Sequence, residues 1–237
     1  MLISLLRNGF SIYTLVGLCS SIFVIFCTMP IHEYAHALVA TKLGDKTPKL
    51  SGRLTLNPMA HIDVMGALMI LLVGFGYAKP VPVNPRNFKN QKSGMALTAA
   101  AGPVSNLIMA AFFILLANIA CIIYYNTNGS IVANVSLLFF FYAASINVYL
   151  AVFNLIPIPP LDGSRIFGLI VPNKIYYKIM QYERYIILVV FALLVFGVLS
   201  TPLSWLSEKV MFGIAWLISL PFGEYGDVIT RLVSNLM

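Results

Sequence analysis

Six stretches of this chain are almost purely apolar, and its charged residues are gathered between them. They run over roughly residues 10–30, 64–78, 95–125, 131–153, 185–202 and 210–222, the first continuing as helix to about residue 42. Crossing a hydrocarbon core takes about 20 helical residues. The first stretch and those at 95–125, 131–153 and 185–202 meet that length, or nearly do. The stretch 64–78 is short and lies between two basic clusters, so it is expected to re-enter the bilayer as a hairpin without crossing it. The last two flank Glu208-Lys209 and read as a peripheral helical hairpin.

Two polar stretches carry a different signal. Leu50, Gly52, Leu54 and Leu56 alternate with Ser51, Arg53, Thr55 and Asn57, the period of a strand. Lys79–Pro85 contains three prolines and cannot be helical. Non-helical backbone at membrane depth needs protein or water around it, which a small sheet lining a cavity would satisfy. The expected fold is therefore an α-helical polytopic membrane protein with about 5–6 membrane segments and a small membrane-associated β element. It divides into a core over 1–171 and a C-terminal helical hairpin and tail over 172–237.

Composition agrees: 59% of the 237 residues are hydrophobic and 10% charged, far from the soluble globular range. The apolar start shows no small-residue cleavage site and is not expected to be a removed signal peptide. Cys19, Cys27 and Cys121 sit in apolar runs without metal-site spacing, which excludes a disulfide framework and a cysteine metal site. The net charge of +7 raises the question of nucleic acid, but its placement answers it. All of the fifteen basic residues except Arg7 and Lys209 fall in segments that can share one side, the positive-inside pattern. No nucleic-acid partner is expected; membrane lipid is. This reading puts the N terminus outside and the C terminus inside.

Against that background, His32-Glu33-Tyr34-Ala35-His36 stands out at the end of the first apolar run. Two histidines four apart share a helix face and can reach one metal ion. A glutamate beside the first can take a proton from a water that the metal has acidified. Ionisable side chains at membrane depth are costly and usually functional. A catalytic zinc takes three protein ligands, so a third is needed. Asp162 is the leading candidate, because Asn154–Gly163 breaks the preceding helix with three prolines and exposes a carboxylate. His61, after the Pro58 turn, competes with it.

HEYAH in an apolar helix, Gly102-Pro103-Val104-Ser105-Asn106 in a later one and Asn154–Gly163 after another resemble the site-2 protease family of intramembrane metalloproteases. Gly52–Asp63 and Lys79–Pro85 are also similar to its compact prokaryotic members, and the resemblance covers about residues 10–170. It implies a three-helix catalytic core and one zinc ion per chain held by His32, His36 and Asp162, with Glu33 as the base. It also implies membrane-anchored substrates, such as single-span regulators or remnant signal peptides, in a multi-pass protein of a prokaryotic plasma membrane. The active site would lie towards the cytoplasmic leaflet. Asn154 matches the family's motif asparagine and is the expected oxyanion donor, with Asn147 a weaker one. Asn106 is expected near substrate or behind a ligand, and Gly102 and Pro103 are expected to allow close helix packing. A transporter or an inactive metal-binding scaffold is the alternative. The absence of a visible inverted repeat weighs against the first, and the presence of Glu33 weighs against the second. Serine chemistry is not expected, since metal would occupy the histidine pair and leave only His61.

Overall fold

The computed structural model describes residues 11–66, 68 and 78–236. Most of the stretch 64–78, expected to be re-entrant, lies outside the described residues. Among the described residues the chain is helical. The long elements are α1 (Ile12–Lys42), followed after two short turns α2 (Thr47–Leu50) and α3 (Pro58–His61) by α4 (Gln91–Asn126) and α5 (Ile131–Asn154). Then come α6 (Asp162–Phe167), α7 (Asn173–Gln181), α8 (Glu183–Val195), α9 (Ser200–Ser219) and α10 (Glu224–Leu236).

Among the described residues, four helices are long and apolar enough to cross a membrane: α1, α4, α5 and the 23-residue run Ser200–Phe222 that contains α9. The sequence pattern divides that last region into two short segments, because Glu208-Lys209 interrupts the apolar count. In the structure this pair rides on one continuous helix, whose Leu203, Met211 and Ala215 are buried in the same core as α4 and α5. Small residues set the approach of α4 and α5. Ala110 and Ala117 of α4 and Ala143, Ala144 and Ala151 of α5 are fully buried, which lets the backbones pack closely. Phe23 of α1 packs edge-on against Phe113 and Phe139, and the Ser20 hydroxyl donates to the Phe139 carbonyl at 3.1 Å.

The ends of the bundle are well separated. Tyr13, Tyr125, Asn134 and Leu232 line one cavity, so the start of α1, the end of α4, the start of α5 and α10 meet at one end. The Tyr125 and Tyr225 rings lie 5.7 Å apart there. The histidine pair lies at the opposite end of α1. The C-terminal helix, Arg231 included, is therefore at the far end from the histidines, where the charge pattern had placed it on their side. Arg231 is one charge on an amphipathic helix, and packing against α4 and α9 overrides its small topological preference.

The expected β element is not found among the described residues. Among the described residues there is no strand, only one isolated antiparallel bridge between Ile62 and Ala78. In the alternating stretch, Asp45 Oδ1 accepts from the Thr47 backbone at 3.0 Å and starts a helical turn through Leu50, and Gly52 follows at φ +71°. Leu50 and Leu56 are then exposed instead of sharing one covered face. Arg53, through its guanidinium on the Ala60 carbonyl, and His61, through its ring on the Thr55 carbonyl, close this loop. Residues 79–84 are not helical, in keeping with their prolines, and Asn84 is extended. They are held to the end of α1 by Asp45, whose Oδ2 accepts from the Asn84 backbone at 2.7 Å and whose Oδ1 accepts from the Asn87 amide at 2.6 Å.

Candidate metal centre

Pro30 shapes the helix that carries the histidines. It has no N–H to give to the carbonyl four residues back, and just before it the ladder widens into a π turn over Val24–Thr28, where Met29 N–H reaches Val24. Beyond this turn α1 resumes, with His32, Glu33 and His36 all buried. The imidazoles meet edge to face, ring centroids 4.6 Å apart and planes at 86°.

α4 comes against this pair with almost no side chain between. A Cβ on Gly102 would overlap His36 Nε2 and lie 2.5 Å from His32 Cε1. Only glycine permits this approach. It brings the Thr98 carbonyl within 2.7 Å of His36 Nδ1, whose N–H donates to it. The neutral ring then carries its lone pair on Nε2.

The third side chain arrives from the loop after α5. Gly163 is required there, because a Cβ would overlap the Leu155 and Ile156 carbonyls. The Asp162 carboxylate projects at the start of α6, with Oδ2 3.4 Å from His32 Nε2 and 3.2 Å from His36 Nε2. Burial pushes the Asp162 carboxyl up, but the His32 and His36 imidazoles beside it outweigh that and hold it below the usual carboxylate range.

These distances allow a fit test. The two Nε2 atoms lie 3.0 Å apart. With Thr98 holding the proton of His36 on Nδ1, the His36 Nε2 lone pair and a carboxylate oxygen face one point beside His32 Nε2, an arrangement that a proton or a cation relieves. All three ligand atoms lie within 4.8 Å of one another. Tetrahedral ligands at about 2.0–2.1 Å from an ion sit about 3.3 Å apart, and the three separations bracket that value. The donor set fits a metal ion.

Other candidate residues stand elsewhere. His61 is fully buried and its Nε2–H donates to the Thr55 carbonyl at 2.7 Å, outside the cluster. The Asn154 amide donates to Leu150, one turn back in its own helix, and the Asn147 amide to Ala143 in the same way. Asn106 is buried on α4, one turn beyond Gly102. Glu33 is buried beside the pair, and no hydrogen bond to its carboxylate is made among the described residues. Thr98 escaped the sequence reading because it acts through its backbone carbonyl, which no residue type announces.

Among the described residues, four membrane-length apolar helices and a His/His/Asp cluster with both histidines buried define a multi-pass membrane protein with a site that fits a metal ion. The sequence pattern of Peptidase family M50 matches residues 116–197, a range that includes Asp162. The chain is 42% identical over 186 residues to the Bacillus subtilis protein named "Putative zinc metalloprotease YwhC", covering 77% of this chain and 81% of that one. It is 28% identical over 148 residues to "Putative zinc metalloprotease Rip2" of Mycolicibacterium smegmatis, covering 60% of this chain and 52% of that one. No solved structure matches. The chain belongs to peptidase family M50.

Proposed function

We propose that this protein is a zinc-dependent intramembrane endopeptidase of the site-2 type, cutting membrane-anchored proteins in or near their transmembrane segments. The observation that carries this reading is the convergence of His32 Nε2, His36 Nε2 and Asp162 Oδ2 beside Glu33 in an apolar helix. The names of the relatives support zinc as the ion. His32, His36 and Asp162 would hold it, and when bound it supplies Lewis acidity, activating water and polarising the scissile carbonyl.

The chain's own residues do the rest. Glu33 takes the proton of the attacking water and returns it to the leaving amine, a role suited to a buried carboxylate without a hydrogen-bond partner among the described residues. Thr98 keeps His36 in the tautomer that leaves Nε2 free. Asn154 is the proposed oxyanion donor, and to act it must turn from the Leu150 carbonyl. A helical substrate hides its peptide bonds and must unwind. The non-helical segment 79–84, pinned by Asp45, is the proposed edge for an unwound strand. Single-span regulators and remnant signal peptides are the proposed substrates, and the basic residues gathered at the site's end of the bundle support a site towards the cytoplasmic leaflet of a plasma membrane.

Glu33→Gln tests the reading. The purified variant, reconstituted with a single-span substrate, is expected to keep its zinc and lose cleavage by at least 100-fold, the usual scale for a general base. Cleavage at the wild-type rate would overturn it.

A further inference from the structure

Among the described side chains of α7, the helix that follows the Asp162 segment, one side is covered by the protein. Its Tyr176 ring lies on Gly168, where a Cβ would come within 2.8 Å of it, and Met180 one turn on is half-buried. About a quarter turn round the helix, Ile175 (53% exposed), Ile179 (38%) and, just beyond its end, Tyr182 (53%) form an apolar stripe at i, i+4 and i+7. About a further quarter turn round lie Lys174 and Lys178, both exposed. Among the described residues no carboxylate lies within ion-pair distance of either lysine. The Lys92 ammonium donates to the Val171 carbonyl at 2.8 Å, which ties the start of α7 to the start of α4, at the histidine end of the bundle.

Three faces in this order match a bilayer boundary. One side meets the protein, the next is apolar, and the third is cationic, so a helix lying in the membrane plane would satisfy all three at once. We propose that α7 is an interfacial helix bound to anionic phospholipid. Ile175, Ile179 and Tyr182 enter the acyl boundary, and Lys174 and Lys178 contact the headgroups. Lipid is the occupant because the neighbouring helices α4 and α5 are of membrane-spanning length, which places a headgroup layer at this level, and because both free charges are positive. The lipid contact would anchor the far end of the short segment that presents Asp162.

The test uses the full chain in nanodiscs of phosphatidylcholine with or without phosphatidylglycerol, with nitroxides at Ile175→Cys or Lys178→Cys after the three native cysteines are replaced. The label at 175 is expected to be relaxed more by oxygen than by a water-soluble nickel chelate, and the label at 178 the reverse. Equal access of the chelate to both labels would overturn the proposal. Separately, Lys174→Glu with Lys178→Glu is expected to lower the preference for spin-labelled phosphatidylglycerol by about five-fold per lysine, with Arg at both positions restoring it. An unchanged preference in the double Glu variant, with its zinc content intact, would also overturn it. Neither readout uses proteolysis, so failure here leaves the peptidase reading standing.

Discussion

The Nδ1–H of His36 donates to the Thr98 carbonyl at 2.7 Å, and this contact decides which nitrogen of the ring faces His32 and Asp162. It joins two helices that are far apart in sequence, and it exists because Gly102, one turn after Thr98, leaves room for the rings.

Gly102→Ala should therefore damage the metal centre without removing a ligand. The added methyl cannot fit between α4 and the imidazoles, so the helix or the rings must move. Misplacing a ligand's support typically costs 10–100-fold in metal affinity, and overpacking costs about 1–3 kcal/mol of stability. Zinc titration of the folded variant checks this; wild-type affinity would show that α4 yields at little cost.

Asp162→Ala and His61→Ala should separate the two candidate third ligands. Stoichiometric zinc in the purified chain is expected to be lost with Asp162→Ala and kept with His61→Ala. The second variant should instead lose about 1–3 kcal/mol of stability, because it empties a fully buried site and removes the bond to Thr55. Zinc lost only with His61→Ala would redraw the centre.

Metal removal should lower thermal stability. Two imidazoles and a carboxylate facing one another are relieved by a cation, so zinc binds the folded chain in preference to the unfolded one. At a free zinc concentration of 100 times the dissociation constant the gain is about 2.7 kcal/mol. Melting in detergent with and without chelator measures it. In Asp162→Ala the difference should vanish.

Asp45 should make stability depend on acid pH. Burial pushes its carboxyl up, but donors from Thr47, Asn87 and Asn84 outweigh that and hold it below the ordinary aspartate value of about 3.9. A carboxyl lowered on folding contributes stability above the unfolded value, and that contribution is lost as pH falls through the folded one. Wild type should thus lose stability below about pH 4 more steeply than Asp45→Asn. At neutral pH the variant should be weaker by about 1–3 kcal/mol and cut more readily by added protease near residues 79–87. Parallel pH profiles would show that the carboxylate charge contributes nothing.

Much of this protein is legible along the chain, because the relevant periods are short. Twenty apolar residues can be counted, and two histidines four apart share a helix face whatever surrounds them. The same counting misread Ser200–Phe222, where the pair Glu208-Lys209 splits the apolar pattern but not the helix. It also misread Leu50–Asn57, where one capping carboxylate outweighs an alternation too short to build a sheet.

By itself, then, the sequence determined the apolar helices, the His32-Glu33-His36 face and the glycines and prolines that bend the chain near it. Tertiary structure alone decided that Asp162 and not His61 reaches the pair, that the Thr98 carbonyl orients His36, and that α10 lies at the far end of the bundle. The reason is physical. Helix formation and amphipathic spacing are set by neighbours within a few turns, whereas a ligand set is closed by the approach of separate helices, and that depends on how small residues across the whole bundle let the backbones pack.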